Sequence, residues 1–162
     1  MAYAYLSLGS NVEAEKHISA GIQSLRQDFG AVICSRVFLC PAEGFEGDDF
    51  LNMAAIIETT LKPSDLKEQL HIIEHKHGRT RGAEKFTDRT LDIDLVMYDD
   101  LILKLPGLEL PRDELEKYAF VLCPLAEIAP QYIHPISGRT LADLWANYDK
   151  SSVTLKAINL VL

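Results

Sequence analysis

Apolar residues along this chain recur with two different periods, and the changes between them divide it into elements. Residues 2–8 form a short apolar and aromatic run closed by Gly9-Ser10-Asn11, the pattern of a strand ending in a turn. Ile18, Ile22, Leu25 and Phe29 then recur at spacings of 4, 3 and 4, which puts them on one face of a helix stopped by Gly30. β-Branched and apolar residues return over 31–39, predicting a second strand, and 41–49, with one Pro, two Gly and four acids, reads as a loop. Residues 50–61 predict a third strand. Pro63 suits the first turn of a second helix, with Leu66, Leu70 and Ile73 on its core face and Gly78 at its end. The stretch 78–89 is polar, basic and without period, a loop. A fourth strand is predicted over 90–98, followed by the apolar run 101–105.

This order is β-α-β-β-α-β, which predicts an α+β fold: a ferredoxin-like antiparallel sheet with helices on one face plus C-terminal additions. The last third holds Pro106, Pro111, Pro124, Pro130 and Pro135 and predicts short elements and loops. A short helix is expected over 141–148. The apolar tail from Val153 reads as a last strand, packed on the body or forming a subunit contact. No repeat or linker interrupts the chain, so residues 1–162 are expected to form a single domain.

Composition narrows the function classes. The 162 residues are 48% apolar and 25% charged, ordinary for a globular chain. Asp and Glu outnumber Lys and Arg by 24 to 16, a net charge of −8. That balance disfavours nucleic-acid binding, which calls for a basic excess. No apolar run approaches the ~20 residues that span a bilayer, and the N-terminus lacks a signal-peptide pattern. Cys34, Cys40 and Cys123 show no C-x-x-C spacing and read as reduced thiols of a cytoplasmic protein. Small-molecule substrates and a monomeric state are expected, with no nucleic-acid or membrane partner.

The fourth strand carries the sharpest chemical signal. In Leu91-Asp92-Ile93-Asp94-Leu95 the side chains alternate, so both acids leave the same face, with Cα atoms roughly 7 Å apart. Two carboxylates so placed suit a hard cation such as Mg²⁺, which shares its oxygen ligands with substrate phosphates. A solvated strand face is the alternative for a bare D-x-D. The apolar opposite side predicts a central strand, where two acids call for a reason. Just upstream, Lys76, Arg79, Arg81, Lys85 and Arg89 crowd into 75–89. Arg forks bind phosphate oxygens, and positive side chains beside a Mg²⁺ site suit phosphoryl transfer. Phe50 and Asn52 share a face of the third strand, an aromatic plane and an amide fit for the edge of a flat heterocycle, or simply a core Phe beside a turn. His71, His75 and His77 lack an H-E-x-x-H frame and read as exposed or capping residues. Cys40 and Cys123 read as small buried hydrophobes. No Walker A, G-x-G-x-x-G or G-x-S-x-G motif occurs.

These residues together resemble the 6-hydroxymethyl-7,8-dihydropterin pyrophosphokinase (HPPK) family of folate biosynthesis. The resemblance runs over roughly 3–145. It rests on Leu8-Gly9-Ser10-Asn11, Phe50-Leu51-Asn52-Met53-Ala54, Glu74, Gly78-Arg79-Thr80-Arg81, Asp88-Arg89-Thr90-Leu91-Asp92-Ile93-Asp94-Leu95 and Phe120-Val121-Leu122-Cys123-Pro124-Leu125-Ala126-Glu127-Ile128-Ala129-Pro130. It implies Mg²⁺-dependent transfer of pyrophosphate from ATP to the pterin hydroxymethyl group, releasing AMP. Asp92 and Asp94 would hold two Mg²⁺ ions, and Arg79 and Arg89 would close over the triphosphate as catalytic groups. The pterin would lie between Phe50 and Phe120, with Asn52 at its edge and Cys40, Pro41 and Glu43 around it. Glu74, Arg81, Phe86, Leu95 and Arg112 would complete the ATP site. Four departures fall on the nucleotide side. Phe86-Thr87-Asp88-Arg89 replaces the family's W-G-P-R, Pro111-Arg112 replaces its Pro-His, and Tyr118 replaces a basic residue. Gly107 and Glu109 stand where it carries Arg and Thr. The alternative these departures raise is a pterin-binding paralogue without catalysis or with a changed task.

Overall fold

The computed structural model describes residues 1–41, 48–78 and 90–162 of the chain. The N-terminal run forms β1 (Ala2–Ser10), whose Ala4, Leu6 and Leu8 are fully buried on one face. The helical stripe forms α1 (Ala14–Phe29), closed by Gly30 at φ 83°, a left-handed conformation that glycine adopts without steric cost. The second predicted strand divides into β2 (Val32–Cys34) and β3 (Val37–Cys40). The break has a local cause. The Ser35 hydroxyl accepts the Ala54 amide at 2.8 Å, a place a ladder carbonyl otherwise fills, while the Ser35 amide donates to the Ala54 carbonyl at 3.0 Å. Next come β4 (Phe50–Thr59), α2 (Pro63–Lys76, with Pro63 in its first turn) and β5 (Asp92–Tyr98).

The sheet is antiparallel, with order β5-β1-β4-β3 and β2 also paired to β4. That is the arrangement expected of the split βαβ repeat. Helices α1 and α2 cover one face, and Ile18, Ile22, Leu25, Leu66, Leu70 and Ile73 meet Leu6, Leu8, Met53 and Ile93 in the larger core cluster. Strand β5 was expected to be central; it lies at the end of the sheet, paired only to β1 among the described strands. Its apolar side is buried by α2, and such cover is the same for a central strand and an edge strand. The β1–β5 register shifts between Tyr5 and Leu6, which oppose Met97 and Leu95. The extra residue, Val96, makes a bulge, and both Val96 and Met97 join the second cluster.

The helices of the last third cover the opposite face, while its hairpin adds Leu103, Leu108 and Leu110 to the larger core. Strands β6 (Leu103–Leu105) and β7 (Leu108–Leu110) form a hairpin around Pro106-Gly107, with Gly107 at φ 75°. Then follow α3 (Glu114–Lys117), α4 (Ala119–Ile128) and α5 (Leu141–Ala146). Helix α4 was not expected, because proline density argued against it. Pro124 sits inside it and cannot donate to the Phe120 carbonyl. Burial of Val121, Leu122 and Leu125 against Ala54, Val96 and Met97 outweighs that lost bond. Glu127 fixes α4 to the start of β3 by accepting the Arg36 backbone amide at 3.1 Å and its Nε at 3.2 Å. The apolar tail packs on the body: β8 (Lys156–Ile158) pairs with β3 and extends the sheet, and Leu160 and Leu162 pack on the larger core. Among the described residues, no helix is long and apolar enough to cross a membrane.

Candidate active site

Helix α4 packs over the part of the second sheet face formed by Tyr5, Ala54, Val96 and Met97. Further along that face a row of directly opposed residues crosses four strands: Phe38 on β3, Asn52 on β4, Gly9 on β1 and Asp92 on β5. Opposed residues in antiparallel strands share a face. Asn52 and Asp92 thus lie two strand spacings apart, roughly 10 Å, on one side of the sheet. The neighbouring row places Asp94 beside Ser7, and Phe50 opposite Cys40 extends the face at the other end. Gly9 makes this row possible. A Cβ there would meet Asn52 Oδ1 at 2.8 Å.

Asn52 is 6% exposed. Its Nδ2 donates to the Cys40 thiol sulfur, and the thiol approaches the Phe50 carbonyl at 3.6 Å. Cys40 is therefore buried, as expected, and also orients an amide, which the sequence did not suggest. Cys123 is only half-buried, a departure from its expected burial, and burial pushes the thiols of Cys34 and Cys123 upward in pKa. Phe120 stands in the first turn of α4, stacked on Tyr118 with ring centroids 5.1 Å apart and planes at 16°. Pro41 is exposed beside Cys40.

The acidic pair is half-buried, with the Asp94 side chain 35% exposed. Arg112 Nη1 lies 3.8 Å from Asp94 Oδ1, while its Nε and Nη2 both engage Glu114 Oε2. Burial pulls the Arg112 guanidinium down in pKa, but Asp94 and Glu114, with Asp92 behind them, outweigh it and hold it above its ordinary value. Burial and a hydrogen bond with Asp113 push Glu114 up, against Arg112. Beside this cluster runs a small cleft, open to solvent, between α2 and the β6–β7 hairpin. Lys67, His71, Asp94, Leu95, Gly107, Glu109 and Arg112 line it.

The structure thus brings together Asp92, Asp94, Leu95 and Arg112, and separately Cys40, Phe50 and Asn52, while Phe120 stands on the covering helix against Tyr118 and the second core cluster. Glu74, expected to face the nucleotide, is anchored to the acidic strand. It is 1% exposed on the core side, and Oε2 accepts the Ile93 amide at 2.8 Å. Glu43, Arg79, Arg81, Phe86 and Arg89 lie outside the described residues. Lys67 and Glu114 escaped the sequence reading, and His71, expected to be exposed or capping, is half-buried and lines the cleft. Lys67 and His71 stand four apart on α2, a spacing that places them on one helix face. Glu114 carried no periodic signal. His75 is exposed as expected. His77 caps the end of α2 and meets the Ser24 hydroxyl at 3.0 Å.

Two carboxylates on one strand face, open on one side, supply hard oxygen donors without forming a closed cage. Among the described residues no group of three or more His, Cys, Asp or Glu could hold a metal. This donor set fits Mg²⁺, which keeps its waters and takes one or two carboxylates together with substrate phosphates.

The architecture is that of a known class of α+β domain. Solved structures of Plasmodium falciparum HPPK-DHPS superpose on it. The triple mutant with SDX-DHP gives a TM-score of 0.73 at 14% identity over 93% of this chain, and the wild type with pteroate 0.72 over 91%. This chain spans 43% and 42% of those longer chains, and at such identity the likeness shows the fold. Sequence likeness gives the family. Residues 5–130 match 7,8-dihydro-6-hydroxymethylpterin-pyrophosphokinase (HPPK). Relatives named 2-amino-4-hydroxy-6-hydroxymethyldihydropteridine pyrophosphokinase are similar over most of the chain. The Synechocystis protein is 37% identical over 86% of this chain and 68% of its own length. The Aquifex aeolicus protein is 35% identical over 88% and 90%, and that of Pseudomonas aeruginosa 34% over 88% and 89%. The chain belongs to the HPPK family.

Proposed function

We infer that this protein transfers pyrophosphate from ATP to the hydroxymethyl oxygen of 6-hydroxymethyl-7,8-dihydropterin, releasing AMP. One observation carries the reading. A single sheet face sets the amide of Asn52 and the carboxylate of Asp92 two strands apart, with Gly9 clearing the space between them. A pterin held at Asn52 and Phe50, with Phe120 over its other face, directs its hydroxymethyl arm along that row toward Asp92 and Asp94. In this reading these carboxylates would hold Mg²⁺, two ions by the family resemblance, which would supply neutralisation of charge on the transferring group. The hydroxymethyl oxygen forms a bond to the β-phosphorus and releases its proton. The bond from that phosphorus to the α–β bridging oxygen breaks, and AMP leaves with the electron pair.

Leu95 and Arg112 line the nucleotide side, where Arg112 supplies positive charge. Gly107 adds no charge there and turns the hairpin at φ 75°, a conformation that suits glycine. Arg79 and Arg89 close over the triphosphate in this reading, and Arg81 and Phe86 belong to the same site. Glu74 acts from beneath the acidic strand by holding the Ile93 amide.

The test is AMP release from ATP by the purified protein with Mg²⁺, with and without hydroxymethyl-dihydropterin. Pterin-dependent AMP supports the assignment. Pterin binding by calorimetry without any AMP would instead establish a binding protein that has lost the chemistry, the alternative raised by the altered nucleotide side. A finer check uses Gly9→Ala. The added methyl pushes on Asn52 Oδ1, so KM for the pterin is expected to rise at least about tenfold, the cost of one displaced polar contact, with kcat changed less. An unchanged KM would remove Asn52 from the pterin edge.

A further inference from the structure

Arg112 is held at three points. Its backbone amide donates to the Val96 carbonyl of β5 at 2.9 Å. Its Nε and Nη2 both engage Glu114 Oε2. That leaves Nη1 on the far side of the planar guanidinium, 3.8 Å from Asp94 Oδ1. The backbone anchor lies on the same strand as Asp94, two residues along, so the guanidinium cannot drift from the acidic pair without turning about its own side chain. A fixed cation therefore already sits beside a carboxylate read above as a cation ligand, with a second carboxylate drawing on the same charge.

We propose that Arg112 is a counter-ion of Asp94, and that Glu114 is the positioning residue that sets how much of its charge Asp94 receives. A divalent cation then reaches Asp94 only against this guanidinium. Glu114 offers Arg112 its alternative partner, so displacement leaves the cation paired and pointing along the nucleotide cleft. Free metal ion is disfavoured, and metal arriving with a polyphosphate is favoured, because the phosphate oxygens give Arg112 a further anionic partner. The proposal rests on the reading of Asp92 and Asp94 as cation ligands.

The experiment is titration of the nucleotide-free protein with Mn²⁺, following free Mn²⁺ by its electron paramagnetic resonance signal. The variants are Arg112→Gln, Glu114→Gln, the two combined, and Asp94→Asn, with thermal unfolding to confirm that each is folded. Arg112→Gln is expected to bind Mn²⁺ about fivefold tighter, the scale of one partly exposed charge pair. Glu114→Gln is expected to bind it more weakly, because Arg112 is then left to Asp94. In the Arg112→Gln background, Glu114→Gln is expected to have no further effect, which separates action through Arg112 from the loss of a nearby negative charge. Asp94→Asn is expected to lose the binding. If Asp94→Asn loses it but Arg112→Gln binds no tighter than the parent, the counter-ion proposal is overturned while the metal reading stands. If Asp94→Asn binds Mn²⁺ like the parent, the metal reading itself fails and the proposal falls with it.

Discussion

Replacing Asp94 by alanine is expected to lower pterin-dependent AMP release at least about a thousandfold, equivalent to about 4 kcal/mol of transition-state stabilisation. Asp92→Ala is expected to behave alike. The size follows from the reaction. Phosphoryl transfer leaves little covalent work to the protein, so catalysis is mostly positioning and charge neutralisation, and both depend here on two carboxylates. The fold is expected to survive. The Asp94 side chain is 35% exposed on an open face and belongs to neither core cluster, and substitutions at such positions change stability by roughly 0.5 kcal/mol or less. AMP release and thermal unfolding on the same preparations provide the check. Undiminished turnover in both variants would overturn the roles given to this pair.

Glu74→Ala is expected to destabilise the protein by about 3 kcal/mol, a shift in Tm of several degrees for a domain of this size. The carboxylate is buried between α2 and β5, and its Oε2 takes the Ile93 amide at 2.8 Å. Alanine leaves that buried donor unsatisfied and a void beside it. Ile93 lies between the two acids, so this bond also fixes the strand that presents them. Glu74→Gln keeps an oxygen acceptor of the same shape and is expected to cost much less. Calorimetric unfolding of the three proteins measures this. If Glu74→Ala leaves Tm unchanged but raises KM for ATP, the residue faces the nucleotide and does not anchor the strand.

Much of this protein was legible from local pattern. The spacing of Ile18, Ile22, Leu25 and Phe29 gave α1, Pro63 and the stripe ending at Ile73 gave α2, and the order of strands gave the sheet topology. These signals are local, since each reports which side of one element is buried. The Asp92/Asp94 pair was legible for the same reason, because strand alternation alone puts both on one face. The family followed from motifs that stay contiguous in sequence, such as Arg89-Thr90-Leu91-Asp92-Ile93-Asp94-Leu95.

What the tertiary structure decided depends on partners far away in sequence. Strand β5 lies at an edge with β1 as its described strand partner, although layers cover both of its faces, and an apolar face does not reveal whether a strand has one lateral neighbour or two. Helix α4 forms despite Pro124 because the second sheet face needs covering, a demand that no local propensity records. The tail became β8 because β3 had a free edge. Gly9, Asn52, Asp92 and Phe38 form one row only through strand register, which sequence periodicity leaves open to a slip of two residues. Arg112 read as a positive charge of the nucleotide side, and the fold sets it between Asp94 and Glu114. A charge's role depends on which counter-charges the chain folds against it, and that is fixed in space rather than along the sequence.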